Sequence, residues 1–324
     1  MPKVSVIVPI YNAEKYIEKC VRSLFEQTLD DIEYIFVNDC TPDNSMQILK
    51  NIIEEYPHRK TRIKILNHVQ NQGQAGARTT GMKAMTGEFM IHCDPDDWVD
   101  LDLYEKMYYK AINSKSDIVI CDFDEIYDNY TTKISTTLCN NNSKLVLKNY
   151  YKYPICPALW NKLIKSDIIK TYNIYPFEGI NIGEDLNIFI RVLHFAKLVS
   201  TIHNAKYYYV INPNSSTNSI SNKIKWDKYI FNNVVEICLF LNKHDIDNYK
   251  LTSLHIKYHE KQYLLKDKYN RQLYLWYKTW RDSHKIIKYY NLSTKQYLIE
   301  LLIQSCYPCL ILYYKYIDFR HKNQ

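Results

Sequence analysis

Glycine is scarce. The 324-residue sequence contains six, where average usage of about 7% would give roughly 23. All six fall in two windows, Gly73, Gly76, Gly81 and Gly87 in one, Gly179 and Gly183 in the other. A chain so sparing keeps glycine where the backbone has no alternative, which marks both windows as candidate sites. A bias toward Asn, Ile, Lys and Tyr lowers the count without explaining where the survivors sit. Regular cysteine spacing is absent too. Nine cysteines are scattered, and the single C-x-x-C, Cys306 to Cys309, has no second pair, which argues against a zinc ribbon. No leader-like segment precedes the first strand-like run, so the expected context is a reducing cytoplasm with free thiols. G-x-G-x-x-G, the P-loop Lys-Ser/Thr and H-E-x-x-H are missing, and no Ser/His/Asp or Cys/His arrangement stands out. Standard dinucleotide, P-loop and zincin chemistry are therefore not expected.

What is present is a globular chain, 46% hydrophobic and 24% charged, too apolar to be disordered. Its charge is uneven. Residues 1–220 hold 24 Lys+Arg against 26 Asp+Glu; residues 221–324 hold 18 against 9. The division expected is a catalytic-type region over 1–222 and a basic helical region over 223–324. In the first 125 residues strand and helix signals alternate. Apolar runs at 3–9, 32–37, 62–67, 88–93 and 117–122 read as buried strands. Helical spacing covers 13–27, about 44–56, 74–86 and about 100–113, with Asp43 or Asn44 as the cap of the second helix. That order predicts an α/β fold, a doubly wound, Rossmann-like, mostly parallel sheet with helices on both faces. Residues 123–150 read as edge strands and loops, followed by a helix at 184–196 and a strand at 206–211.

Ligands bind such sheets at the carboxyl ends of the strands. That rim would carry Pro9, Tyr11 and Asn12, then Asn38 to Asp43, Asn67 to Arg78, and Asp94 to Asp97. Asp94 and Asp96, two residues apart at a strand end, suit one hard divalent cation shared with substrate phosphates. The competing reading makes Asp96 or Asp97 the cap of the next helix. Asp39 could accept a hydrogen bond from a base or ribose, or serve a turn. The small, polar window from Asn71 through Gly73 to Arg78 opens a helix beside an arginine, which favours phosphate; close helix packing is the alternative. Glu184 and Asp185 begin an amphipathic helix, either as capping acids or as a general base. His255 and His259 share a helix face, read as solvated rather than metal-binding.

In order, VSVIVPIYN, NDCTPDNS, NQGQAGARTTG, CDPDDW, LWNKLI and IGEDLNIF resemble the motifs of family 2 glycosyltransferases, enzymes of the GT-A fold. They span residues 4–190. The resemblance implies an inverting transfer from a nucleotide-diphosphate sugar, most often UDP-linked, with Mn²⁺ or Mg²⁺, to a hydroxyl of a glycan or lipid-linked acceptor in surface polysaccharide synthesis. It assigns Asp39 to the nucleotide base, Arg78 and Asp94 to the donor pocket, and Asp96 to the metal. Asp185 would be the base with Glu184 beside it, and Trp160, Asn161 and Lys162 would line the acceptor side. Departures are Cys40 where the family usually has Gly, Thr79 for Asn, and Val210 where Arg is frequent, with Lys206 the nearby cation. A non-catalytic nucleotide-sugar-binding protein and a nucleotidyltransferase are the rival readings. Residues 297–314 hold one charge, Glu300, and with upstream Lys and Arg read either as a helical surface meeting an anionic membrane from the cytoplasmic side or as a helix packed on the catalytic region. No nucleic-acid partner is expected, since no recognised motif accompanies the basic charge.

Overall fold

The computed structural model describes residues 1–153, 155–178, 180, 182–211, 223–262, 264, 276, 278–290, 292–305 and 308–314. Gly179, Cys306 and residues 212–222 lie outside them. The chain forms two compact units. The first comprises Met1–Val146 and Ile155–Lys223, the second Leu147–Pro154 and Ile224–Gln324.

In the first unit the order is β1 (Val4–Ile10), α1 (Ile17–Phe25), β2 (Ile32–Asn38), α2 (Ser45–Glu55), β3 (Ile63–Asn67), α3 (Gly73–Ala84) and β4 (Phe89–His92). Then come β5 (Trp98–Val99), α4 (Leu103–Ser114), β6 (Ile118–Ile126), β7 (Thr131–Ile134), α5 (Ser143–Lys148), β8 (Lys162–Lys165), α6 (Ser166–Thr171), α7 (Glu184–Phe195) and β9 (Val199–Val210). One sheet holds all nine strands in the order β3-β2-β1-β4-β8-β6-β9-β5, with β7 beside β6. β3, β2, β1 and β4 pair in parallel, as do β6 and β9. β8 is antiparallel to both β4 and β6, so those two point the same way. Only β5, β7 and β8 run against the rest. The α/β class and the parallel start are as expected; beyond β4 the sheet is mixed, because β8 inserts there and displaces β6 outward.

All seven residues of β1 are buried, the pattern of a strand covered on both faces. Val4, Val6, Val8 and Ile10 join Ile17, Val21 and Leu24 of α1 in the main core. Ile7 faces the other way, against α3, where a Cβ on Gly81 would stand 2.3 Å from its Cγ2. Gly81 is therefore a close-approach glycine, and it seats α3 flat on the sheet.

The second unit contains α8 (Lys223–Lys261), a 3₁₀ segment at Arg281–Tyr289 and α9 (Thr294–Ser305). α8 is broken at Asp245, whose φ of −169° and ψ of 88° are not helical. The Asp245 carboxylate accepts from Asn248 N at 3.1 Å and caps the helix that resumes. Tyr151, Leu254, Tyr258, Trp276, Ile287 and Leu310 belong to this unit's own core. The solvated face expected for the two histidines holds for His259 but not for His255, which is buried and bonded through Nδ1 to Tyr290 Oη at 2.8 Å.

Candidate active site

β1, β2, β3 and β4 end on one rim, and the expected polar segments follow each of them. The turns leaving β1 and β2 put non-glycine residues in the left-handed region, Asn12 at φ 52° and Cys40 at φ 58°. Asn12 N donates to Thr41 Oγ1 at 2.9 Å, and Asp43 accepts from Thr41 and Ser45. Those bonds hold the Asp43 carboxyl below its usual range against the burial that would raise it. Asp43 thus orders the turn before α2, while Asn44 at the cap makes no side-chain cap bond. Pro9 lies within β1 and is buried, paired with Val37; it offers no free surface. Tyr11 is exposed at the rim.

Asp39 is buried. Its carboxylate accepts from Gln72 N at 2.8 Å and Gly73 N at 2.9 Å, and Oδ1 lies 2.7 Å from His68 Nδ1. Asn71 completes the knot, donating to Asp39 O at 3.3 Å and accepting from Gly73 N at 3.1 Å. Asp39, the residue expected at the nucleotide base, makes all of these bonds within the chain. In this arrangement the carboxylate closes the β2 rim onto the start of α3 rather than facing outward. His68, with Nε2 2.8 Å from Thr80 Oγ1, was not singled out from sequence; its position one residue past β3 was the available signal.

Arg78, on α3, is the centre of charge. Its Nη2 donates to Asp94 at 2.9 Å, its Nη1 to Glu184 at 2.7 Å and also to Asp185. These acids come from residues 16, 106 and 107 positions away. Gly183, at φ 78°, starts α7 so that Glu184 and Asp185 occupy its first turn. Burial works against the Arg78 charge, but Asp185, Asp94 and Glu184 more than offset it and hold the guanidinium charged. Burial pushes Glu184 up to about 7 against the pull of Arg78, and raises Asp185 in the same way. Beneath this cage His92 is fully buried. Among the described residues neither of its ring nitrogens has a partner, and burial with the Arg78 charge keeps it neutral.

The Asp94–Asp97 turn divides its acids by role. Asp97 Oδ2 accepts from Tyr207 Oη at 2.6 Å and its Oδ1 from Val210 N at 2.8 Å, tying the turn to β9. Tyr207 Oη also accepts from Asp94 N at 3.0 Å. Neither Asp96 nor Asp97 caps a helix, since β5 intervenes before α4. Asp96 is pushed up to about 6 by burial and by the Asp94 charge. Among the described residues no side chain bonds or pairs with it.

Trp160, Asn161 and Lys162 do not form an open wall; all three are buried. Trp160 stacks on Tyr207 at 4.4 Å and Tyr209 at 5.2 Å. Asn161 donates to Cys121 O at 3.2 Å. Lys162 Nζ donates to Cys156 O, Ala158 O and Asn161 Oδ1, each at 2.6 Å, and burial lowers it to about 8. The trio expected on the acceptor side braces β8 and the turn before it. The Leu159 amide of that turn reaches Asp185. Lys206, the cation near Val210 in sequence, is bound to Asp124 at 3.0 Å.

The sequence pattern of glycosyl transferase family 2 matches residues 5–196. The chain belongs to glycosyl transferase family 2. Among curated relatives, the uncharacterized glycosyltransferase EpsJ of Bacillus subtilis is 34% identical over 67% of this chain. The match spans 63% of EpsJ, less than two thirds of that relative's length. TarS 1–349 of S. aureus, solved in complex with UDP-GlcNAc, superposes with a TM-score of 0.63 at 17% identity, covering 94% of this chain and 87% of that one. The mannosyltransferase PcManGT of Pyrobaculum calidifontis, in complex with GDP-Man and Mn²⁺, superposes at 0.55 with 14% identity, covering 96% and 85%. At such identities the likeness speaks for the fold, and this family 2 member has the GT-A arrangement, a mixed sheet followed by a helical region.

Proposed function

We propose that this family 2 chain is a metal-dependent inverting glycosyltransferase. It moves a sugar from a nucleotide-diphosphate sugar, UDP-linked, to a hydroxyl of a glycan or lipid-linked acceptor in surface polysaccharide synthesis. The observation that carries this reading is the gathering of Asp94, Glu184 and Asp185 on Arg78 beside Asp96, which no described side chain pairs. Four carboxylates and one buried guanidinium leave a deficit of positive charge at the rim. Among the described residues no set of three His, Cys, Asp or Glu side chains forms a complete metal site. Two carboxylates completed by substrate phosphates are instead the usual provision for Mg²⁺ or Mn²⁺, and Asp96 with Asp94 fits it. Such an ion, when bound, offsets the charge of a leaving nucleoside diphosphate. The molecules bound in the similar structures, UDP-GlcNAc in one and GDP-Man with Mn²⁺ in the other, support a nucleotide-sugar donor.

Asp185 is the base. It accepts the proton of the acceptor hydroxyl as that oxygen bonds to the anomeric carbon and the bond to the diphosphate breaks. Burial raises its pKa and Arg78 opposes that rise, so the arginine favours the ionised form. Glu184 shares the same guanidinium and fixes its orientation. Asp39, Asn71 and Gly73 shape the donor loop, and Tyr11 and Asn12 edge it. Contact with an anionic membrane surface is assigned to α9, which exposes Leu298, Leu301 and Leu302 at i, i+3 and i+4. No described helix is long and apolar enough to cross a bilayer.

The test is a screen of UDP- and GDP-sugars with Mn²⁺ and Mg²⁺, reading nucleoside-diphosphate release. Asp185→Asn should lower turnover by about 10²–10⁴. Undiminished turnover in that variant removes Asp185 from the mechanism. Pyrophosphate release from a nucleoside triphosphate would instead make the chain a nucleotidyltransferase. Binding of a donor that is never turned over would make it a nucleotide-sugar-binding protein.

A further inference from the structure

The second unit holds a cavity that the transfer chemistry does not use. It measures about 590 Å³, inside the range of roughly 300–1,000 Å³ of small-molecule sites. Three pieces of that unit line it: the 151–153 stretch, the second half of α8 and the end of the 3₁₀ segment. Five of the lining residues are tyrosines, namely 151, 153, 258, 289 and 290.

The floor is fixed. Tyr151 and Tyr258 are buried in the unit's core beside Trp276 and Leu254. Tyr151 meets Tyr289 edge-on at 5.9 Å, and Tyr290 lies 6.0 Å from Tyr258. The Tyr258 hydroxyl donates to Glu300 at 2.6 Å, and Tyr290 Oη is bonded to His255. The rim is open. Tyr153 is 45% exposed and Tyr289 42%, with Lys152 and His259 beside them. Aromatic faces thus alternate with hydroxyl, imidazole, amide and ammonium groups, and no lining residue is acidic.

That mixture selects among ligands. A lipid tail would leave the polar edges unpaired. A nucleotide would set two or more phosphate charges against Lys152 alone. A sugar ring presents apolar C–H faces to aromatic rings and hydroxyls to polar edges, and both are supplied here. We propose that this cavity is a second, non-catalytic carbohydrate site that holds a segment of glycan chain. The proposal rests on the transferase reading only for the source of that glycan; the binding itself needs no turnover. A held chain would present further acceptor ends at raised local concentration.

The experiment titrates the full chain with chitotetraose, cellotetraose and tetragalacturonate, by calorimetry and saturation-transfer NMR. At least one saccharide should bind. Tyr153→Ala and Tyr289→Ala, both at exposed side chains, should each weaken that binding about two- to tenfold, and Asp185→Asn should leave it unchanged. Binding by none of the three, or binding untouched by both tyrosine changes, overturns the proposal. So does binding lost only in Asp185→Asn, which would locate it at the catalytic rim. Donor turnover without saccharide binding sinks this inference alone. Saccharide binding that depends on Tyr153, with no turnover of any donor, sinks the transferase reading and leaves this one standing.

Discussion

Single residues carry most of the chemistry, and two of them make direct predictions. Cys40 holds φ at 58°, a conformation that costs a side chain with a Cβ roughly 1–2 kcal/mol. Its thiol is exposed and makes only a long contact with Val69 O, at 3.9 Å. Cys40→Gly should therefore stabilise the protein by about 1 kcal/mol, read as an upward shift of the thermal midpoint; a lowered midpoint would mean that the thiol does more than fill a turn. Asp96 makes the second. Its carboxyl sits near 6 in the fold and about 3.9 in an unfolded chain. Between those values the folded state holds the extra proton, so stability falls as pH rises through that window. A divalent cation binds only the ionised form. Mn²⁺ should thus raise the melting temperature more at pH 7.5 than at pH 5, and Asp96→Asn should abolish the difference. An equal rise at both pH values would place the ion elsewhere.

At the scale of elements, β1 to β4 and α7 were legible because buried strands read as apolar runs and α7 keeps one apolar stripe. β5 and β8 were not: β5 is two residues long, and β8 has only Leu163 and Ile164 between two lysines, no apolar run. β8 also begins with Lys162. Lysine is almost never fully buried without partners, and three acceptors of its own turn explain its burial. The acids and Arg78 were each legible, while their pairing was not, because nothing in sequence spacing tells that residues 78 and 184 meet. Tyr207, which joins Asp94 to Asp97, was hidden in a run of tyrosines. The α9 leucines predict behaviour at this same scale. The chain should float with liposomes rich in anionic lipid and less with neutral ones, and Leu298→Ser with Leu302→Ser should weaken flotation. Flotation equal in the double variant and the parent would return α9 to an ordinary solvated helix.

At the scale of the whole molecule, the two units respond to acid in opposite senses. In the second unit burial lowers His255 to about 4 and His284 to about 3. Unfolded histidine takes its proton near 6.5, so acidification from about pH 6.5 toward 4 favours opening of that unit. In the first unit Asp96 and Glu184 are raised, to about 6 and about 7. Lowering pH from 7 relieves their burial and steadies the rim, while the buried, neutral His92 beneath it pulls the other way. Hydrogen exchange at pH 5 and pH 7.5, corrected for intrinsic rates, should show protection lost in α8 and retained or gained in α3 and α7. Parallel loss in both units would rule out these groups as the source.

Residues 147–154 have a further consequence during synthesis. They lie between β-sheet segments of the first unit yet belong to the second, and Leu147 O waits for the hydroxyl of Thr252, 105 residues downstream. At ribosomal rates of about 5–20 residues per second, that wait is roughly 5–20 s. Through it Tyr151 and its neighbours are out of the tunnel with no core to enter, a window in which a nascent-chain chaperone has something to hold.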